Sequence, residues 1–210
     1  MKRAIALLGV ISALTLSAQA NIVDFDNDPG QGYQFYYPGG ANRIVLDDVG
    51  RSLPGGARIK QINIRFFNAN QTAVNATLYV YDATGANGGV GNLLYTTTIQ
   101  SIPNGVLQLQ FGTPSIGGGQ QNLWIGLAAS AANAGMVLSP NPNPTVGTSQ
   151  DVFAWDQNGN GSIDTNEYFF FGGNPVANFA IQVLVPEPAS MVALGAGLTG
   201  LLGLRRRARK

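Results

Sequence analysis

The sequence predicts an all-β protein: an antiparallel β-sandwich of jelly-roll-like form with about ten strands, followed by a short C-terminal transmembrane helix. Three observations favour this class. Apolar and polar residues alternate in several short runs, glycine and proline turns separate those runs, and charged residues make up only 11% of the chain. No window of about twelve residues between positions 21 and 184 carries a helical apolar stripe, so no helix is expected there.

Alternation predicts strands with one wet face at 61–66, 107–111 and 179–183. The runs 77–81 and 123–127 are apolar on both faces, which is typical of central strands that are covered twice. Further strands are expected at 22–26, 33–37, 43–47, 93–102, 136–139, 152–155 and 168–171. Prolines in 139–144 prevent sheet pairing and predict a long loop inside one domain. A second small unit at 151–184 is the alternative.

The amino terminus has the parts of a secretory signal peptide. Lys2 and Arg3 precede an apolar stretch at 4–16, and Ala18-Gln19-Ala20 supplies a cleavage site. We therefore expect residues 1–20 to be removed during export through the inner membrane. The exported β-sandwich domain would span residues 21–184.

The predicted domain is acidic, although the whole chain has a formal charge of +1. Residues 21–184 contain five basic and ten acidic side chains, a net charge of −5. The absence of a basic cluster argues against a nucleic-acid partner. The chain has neither cysteine nor histidine, which excludes disulfides, zinc sites and the common nucleophile–base pairs. We expect a protein that is not an enzyme.

The C-terminal tail, residues 185–210, has the features of a membrane address. It contains in order the tripeptide Pro186-Glu187-Pro188, an uncharged segment at 189–204 and the basic residues Arg205, Arg206 and Arg207. As a helix the uncharged segment would rise about 24 Å, against about 30 Å of hydrocarbon. That length suits a transient anchor, and the basic end predicts that the domain lies on the side opposite the cytoplasm.

These three parts resemble the PEP-CTERM sorting signal of Gram-negative bacteria that make exopolysaccharide. The resemblance implies recognition by an exosortase, a membrane enzyme similar to cysteine proteases, which cuts the tail and releases or re-anchors the protein. It also implies a cell-surface or extracellular location, in the exopolysaccharide matrix of a biofilm. Residues 78–82 and 93–95 are similar to ectodomains often joined to this tail. Without an exosortase, the same residues would form a short conventional anchor.

Residues 156–167 have the spacing of a twelve-residue calcium loop. Gly161 takes the turn position and Ile163 the apolar eighth position. The expected ligands are Asp156, Asn158, Asn160, the carbonyl of Ser162, Asp164 and Glu167. Because both flanks have the pattern of strands, we expect a structural Ca²⁺ ion between strands and not a helix-pair sensor. A polar turn without metal is the alternative.

Two further function classes remain open. A carbohydrate-binding module for exopolysaccharide would need an exposed aromatic row, for which the candidates are Tyr33, Phe35, Tyr36 and Tyr37. A calcium-dependent glycosidase would need two carboxylates about 5–10 Å apart in a cleft. Its candidates are Asp24, Asp26 and Asp28, whose spacing equally fits a strand end that enters a turn.

Overall fold

The computed structural model describes residues 21–55, 57–173 and 176–187. These residues contain twelve strands and one 3-10 turn. The strands are β1 (Asn21–Asp26), β2 (Tyr36–Tyr37), β3 (Ile44–Gly50), β4 (Ile59–Asn68), β5 (Val74–Asp82), β6 (Leu93–Ile102), β7 (Gly105–Ile116), β8 (Asn122–Ala129), β9 (Ala134–Val137), β10 (Phe153–Trp155), β11 (Tyr168–Phe169) and β12 (Ile181–Pro186). The 3-10 turn is Ala86–Gly88, and these residues contain no α-helix. The predicted all-β class is confirmed.

The strands form two antiparallel sheets of six strands each. In the first sheet the order is β1-β12-β4-β9-β2, and β7 also pairs with β4. Strand β4 is the centre of this sheet, because β7 pairs along its whole length while β12 and β9 pair with successive parts of it. In the second sheet the order is β11-β10-β3-β8-β5-β6. Nearly all described residues belong to one compact unit, Val23–Val185.

The main hydrophobic core takes side chains from both sheets. Every second residue of β4, namely Ile62, Ile64 and Phe66, is fully buried in it. Strand β5 of the second sheet contributes Leu78 and Val80 to the same core. The alternation predicted from the sequence therefore gives each sheet one face towards a shared interior.

The second sheet is apolar on its outer face as well. A separate buried cluster on that face consists of Ile44, Leu46, Trp124, Ala128 and Ala154. Two connections pack against this cluster: residues 83–92, between β5 and β6, and residues 156–167, between β10 and β11. The prediction of two covered faces is confirmed for 123–127, whereas in 77–81 one face is buried and the other is only partly covered.

Many strands differ in extent from the prediction: β3, β4, β5 and β7 run beyond the expected segments, and β12 is shifted from 179–183 to Ile181–Pro186. Three further differences are the following. The expected strand at 33–37 is reduced to β2, and Tyr33, which lies outside it, contacts Asp28 and Arg65. The expected strand at 168–171 ends at Phe169, before two glycines with φ of +78° and +85°. The strand expected at 136–139 is Ala134–Val137 instead: it begins directly after Asn133, which has a left-handed φ of +59°, and ends two residues early.

Several predicted segments lie outside the described residues. They are the signal peptide at 1–20, Pro188, the transmembrane segment at 189–204 and the basic residues Arg205, Arg206 and Arg207. Within the described ranges, no helix is long and apolar enough to cross a membrane.

A buried ion pair joins distant parts of the chain. The Arg51 guanidinium lies 2.7 Å from the Asp24 carboxylate of β1, and both side chains are fully buried. Arg51 also donates to the carbonyls of Gly117 and Gln120 at 2.7 and 2.9 Å. Asp24 accepts from the backbone N–H of Leu53 at 2.8 Å. Each charge is thus paired and hydrogen-bonded, which is the condition under which burial is tolerated.

Replacing Arg51 by alanine is expected to destabilise the domain. The variant leaves Asp24 buried without its cation, and loss of one partner of a buried pair typically costs about 3–5 kcal/mol. Urea unfolding followed by circular dichroism measures the change. The control is Arg58→Ala, which removes an exposed arginine from the same connection and should change the free energy of unfolding by less than about 0.5 kcal/mol. Equal stability of the two variants would contradict this role of Arg51.

Candidate functional site

The predicted calcium loop connects two paired strands. Strands β10 and β11 are antiparallel neighbours, with Phe153 opposite Phe169 and Ala154 opposite Tyr168. The loop leaves β10 after Trp155 and returns at Tyr168. The prediction that strands and not helices flank the loop is confirmed.

Two buried carboxylates hold the ends of the loop. Asp156 is 0% exposed and Glu167 is 2% exposed. Asp156 accepts the backbone N–H groups of Asn160 and Gly161 at 3.0 and 2.9 Å. Glu167 accepts those of Gln157, Asn158 and Asp164 at 2.9, 3.1 and 2.9 Å. The loop backbone therefore curls around these two side chains.

The other predicted ligands lie on the exposed side of the loop. Asp164 accepts from the amide Nδ2 atoms of Asn158 and Asn160 at 2.9 and 3.2 Å. The amide oxygens of the two asparagines accept backbone N–H groups, that of Asn160 from Ser162 at 2.8 Å. Gly161 has a φ of +82°, which a residue with a Cβ rarely adopts, so the turn position requires glycine.

The loop contains carboxylates without a cationic partner. Neither of the two salt bridges among the described residues includes Asp156, Asp164 or Glu167. Within the same residues, no three His, Cys, Asp or Glu side chains gather as a metal cluster. A cation here would therefore depend on the neutral oxygens of Asn158, Asn160 and Ser162 as well. This donor set, oxygen only and mixed in charge, fits Ca²⁺.

A groove of about 710 Å³ lies beside the loop, on the outer face of the second sheet. One wall is the 3-10 turn Ala86–Gly88 with Gly89 and Val90, and the opposite wall includes Ile163, Thr165 and Phe170. Trp124 and Tyr168 lie between the walls, with their rings edge to face at 5.5 Å. The volume falls within the range of about 300–1,000 Å³ that is typical of ligand pockets.

The two aromatic side chains fix one wall of the groove. Trp124 Nε1 donates to the carbonyl of Gly88 at 3.0 Å, and the Tyr168 hydroxyl accepts the N–H of Val90 at 2.8 Å. A Cβ on Gly89 would lie 2.6 Å from the Tyr168 hydroxyl oxygen, so this approach requires glycine. The polar ends of both rings are thus used within the protein, and their apolar surfaces line the groove.

Two adjacent carboxyl groups of β3 have raised pKa values. Burial raises the pKa of Asp48, at the edge of the groove, to about 6, while hydrogen bonds from Gln150 and Ser149 act in the opposite direction. Asp47 points the other way and is fully buried; burial and the neighbouring charge of Asp48 raise its pKa well above the ordinary range. One Asp47 oxygen accepts the N–H of Phe179 at 2.9 Å, and the other has no hydrogen-bond partner among the described residues.

The aromatic and acidic candidates at residues 24–37 do not form a site. Tyr37 packs in the core against Phe153 and Trp155, and burial raises its pKa to about 12. Phe35 is 54% exposed, but among the described residues no second exposed large aromatic lies beside it. The candidate acids hold structural contacts: Asp24 with Arg51, Asp26 with Gln182 and Asp28 with Arg65.

Sequence reasoning did not identify Trp124, Tyr168 and Phe170 as groove residues. They come from two segments more than forty positions apart, and only the packing of two connections on one sheet face brings them together. One indication is present in the sequence. The run 123–127 is apolar on both faces, which predicts that Trp124 is covered but not which segment covers it.

The sorting tripeptide begins at the end of a strand. Pro186 is the last residue of β12, and Glu187 follows it. Residues 184–207 match the family model of the PEP-CTERM protein-sorting motif. The chain carries a PEP-CTERM sorting motif. This motif implies an exosortase as processing partner, export across the inner membrane and a surface location. Neither a curated protein nor a solved structure matches the chain.

We expect the domain that precedes the PEP-CTERM motif to lose stability as the pH rises through about 6. Native Asp48 keeps its proton to about pH 6, whereas the unfolded chain releases it near the ordinary pKa of 3.8. Unfolding therefore releases a proton between these values, and the free energy of unfolding falls by up to about 3 kcal/mol across the window. Urea unfolding of the wild type and Asp48→Asn, at about pH 4.5 and 7.5 without divalent cations, measures the free energy of unfolding. The fall between the two pH values should be smaller in Asp48→Asn, and an equal fall in both proteins would contradict the expectation.

Proposed function

We propose that the chain is a non-enzymatic cell-surface or extracellular-matrix protein, a jelly-roll-like β-sandwich that is exported, sorted by an exosortase-type system and stabilised by a structural Ca²⁺ ion. The observation that carries the proposal is the sorting motif at 184–207, which begins within the last strand, β12, and continues beyond it. A motif of this kind delivers the domain in front of it. The domain is therefore the part that acts at the surface.

The composition of the domain suits an extracellular location. It has no cysteine, so its stability rests on the shared core, on buried pairs such as Arg51 with Asp24, and on loops fixed by side-chain hydrogen bonds. Its net charge of −5 favours solubility. These features describe a domain that is stable without disulfide bonds.

Calcium is the second part of the proposal. Asp156, Asp164 and Glu167 would supply the negative charge, and Asn158, Asn160 and the Ser162 carbonyl the neutral oxygens. A bound Ca²⁺ would compensate carboxylates that are buried at both ends of the loop. Because Ile163 packs on the outer face of the second sheet, ordering this loop also stabilises the cover of that face. Extracellular calcium modules of this kind bind with dissociation constants of about 10⁻⁴–10⁻³ M.

The sorting proposal predicts a defined processed form. Intact-mass analysis of protein from its native cells, separated into envelope and extracellular fractions, should give a mass that begins at Asn21 and ends near Pro186. A variant with Glu187→Ala, which changes the motif but not the segment at 189–204, should keep its tail. Wild-type protein that runs through Lys210 and stays in the inner membrane would contradict sorting.

The calcium proposal predicts a metal-dependent melting temperature. At about 10 mM Ca²⁺ the expected stabilisation is about 1.4–2.7 kcal/mol, a rise of about 3–10 °C relative to chelator. Glu167→Gln should abolish this rise. Glutamine has one acceptor oxygen where Glu167 uses two, so the variant should also melt lower in chelator, and the diagnostic quantity is the calcium-induced difference.

Asp151→Asn is the matched control for that experiment. It removes a carboxylate just outside the loop, whose oxygen accepts the N–H of Ala177 at 2.6 Å, and it should keep the full calcium-induced rise. No rise in the wild type, or the same rise in Glu167→Gln, would exclude a calcium site in this loop.

Carbohydrate binding for exopolysaccharide is the second candidate function. The aromatic row expected at 33–37 does not support it, because Tyr37 is part of the core. The observation that favours it is the groove on the outer face of the second sheet, with Trp124, Tyr168 and Phe170 along it.

A further inference from the structure

We propose that the groove beside Trp124 binds a neutral saccharide. The inference rests on the second candidate function alone, and it names the site and the ligand class. It does not require the neighbouring loop to hold calcium. Its failure would therefore leave export, sorting and the calcium proposal unchanged.

The apolar part of the groove suits the C–H faces of sugar rings. Phe170 is 70% exposed at the rim, the most exposed large hydrophobic side chain among the described residues. Tyr168 lies deeper, and Trp124, only 5% exposed, forms part of the floor. The exposed ring of Phe170, with the partly buried Tyr168 beside it, provides stacking surface for a sugar ring that is apolar on one side and hydroxylated at its edge.

The polar part of the groove suits sugar hydroxyls. The side chains of Asn122, Thr148, Gln150 and Thr165 are exposed and line it. The side-chain amides of Asn122 and Gln150 make no hydrogen bond to another described residue, so both their donors and their acceptors are available. Amides that can donate and accept at once match hydroxyl groups, which do the same.

The charge of the groove selects a neutral ligand. Among its described lining residues none is lysine or arginine, and Asp48 is the one carboxylate. An anionic polymer would meet no cation there and would be repelled by Asp48 when that group is ionised. The domain as a whole is also acidic, with a net charge of −5 over residues 21–184. A polysaccharide rich in uronic acids is therefore disfavoured relative to a neutral one.

One wall of the groove is fixed before any ligand arrives. Trp124 and Tyr168 each hydrogen-bond to the turn that forms one wall. Asp82 holds both ends of the same connection, because its carboxylate accepts from Thr84 Oγ1 at 2.5 Å and from the N–H of Asn92 at 2.8 Å. A preformed wall reduces the conformational entropy lost on binding.

Saturation-transfer NMR with the full chain in a sugar-free detergent tests the inference. The probes are the neutral hexasaccharides cellohexaose, maltohexaose and mannohexaose, with trigalacturonate as the acidic comparison. We expect at least one neutral probe to bind and trigalacturonate not to bind. Phe170→Ala should weaken that binding about three- to tenfold, the effect expected for loss of one aromatic contact.

Phe35→Ala is the matched control, because Phe35 is also exposed but lines a different cavity. Its affinity should stay within about twofold of the wild type, and the melting temperatures of both variants check that they are folded. The proposal is overturned if no neutral probe binds at about 10 mM, a concentration above even weak dissociation constants. Binding that is equal in Phe170→Ala and the wild type, or binding of trigalacturonate alone, would overturn it as well.

Discussion

The second sheet has apolar side chains on both of its faces, and much of the structure depends on this. A sheet of this kind is stable in water only if both faces are covered. The inner face meets the first sheet in the shared core. The outer face carries Ile44, Leu46 and Trp124, and no third sheet or helix lies over it within the described residues. Two connections cover it instead, and both the conformation of the loop at 156–167 and the groove are consequences of that arrangement.

Irregular segments can cover a sheet only if their backbone polar groups are satisfied. The connection at 83–92 meets this condition through Asp82, Trp124 and Tyr168, which bond to its backbone. The loop at 156–167 meets it through Asp156 and Glu167, which together accept five backbone N–H groups. Buried carboxylates therefore replace the hydrogen bonds that neighbouring strands would have supplied. The cost is negative charge in a covered position, which explains why a cation would be favourable there.

Local sequence patterns predicted most of the strands. They failed where contacts between distant residues determine the structure. The alternation in β4 and the double-sided apolar run of β8 depend only on which faces are buried, so they were visible in the sequence. The segment 33–37 was also expected to be a strand, yet only Tyr36 and Tyr37 pair in the sheet, while Tyr33 contacts Asp28 and Arg65. The spacing of oxygen side chains in 156–167 is local and can be seen in the sequence, and so can the strands on both sides of it. The groove joins Trp124 to Phe170 through the packing of two loops, and no local pattern encodes that juxtaposition.

The junction between the domain and its sorting motif has no spacer. Val185 is fully buried, Pro186 ends β12, and β12 lies between β1 and β4 in the first sheet. An enzyme that recognises Pro186 and Glu187 must therefore work within one or two residues of a packed sheet, since pulling the strand away would open the core. Such an enzyme can therefore act only if its active site fits against the end of the folded sheet, because no flexible linker separates the sheet from the motif.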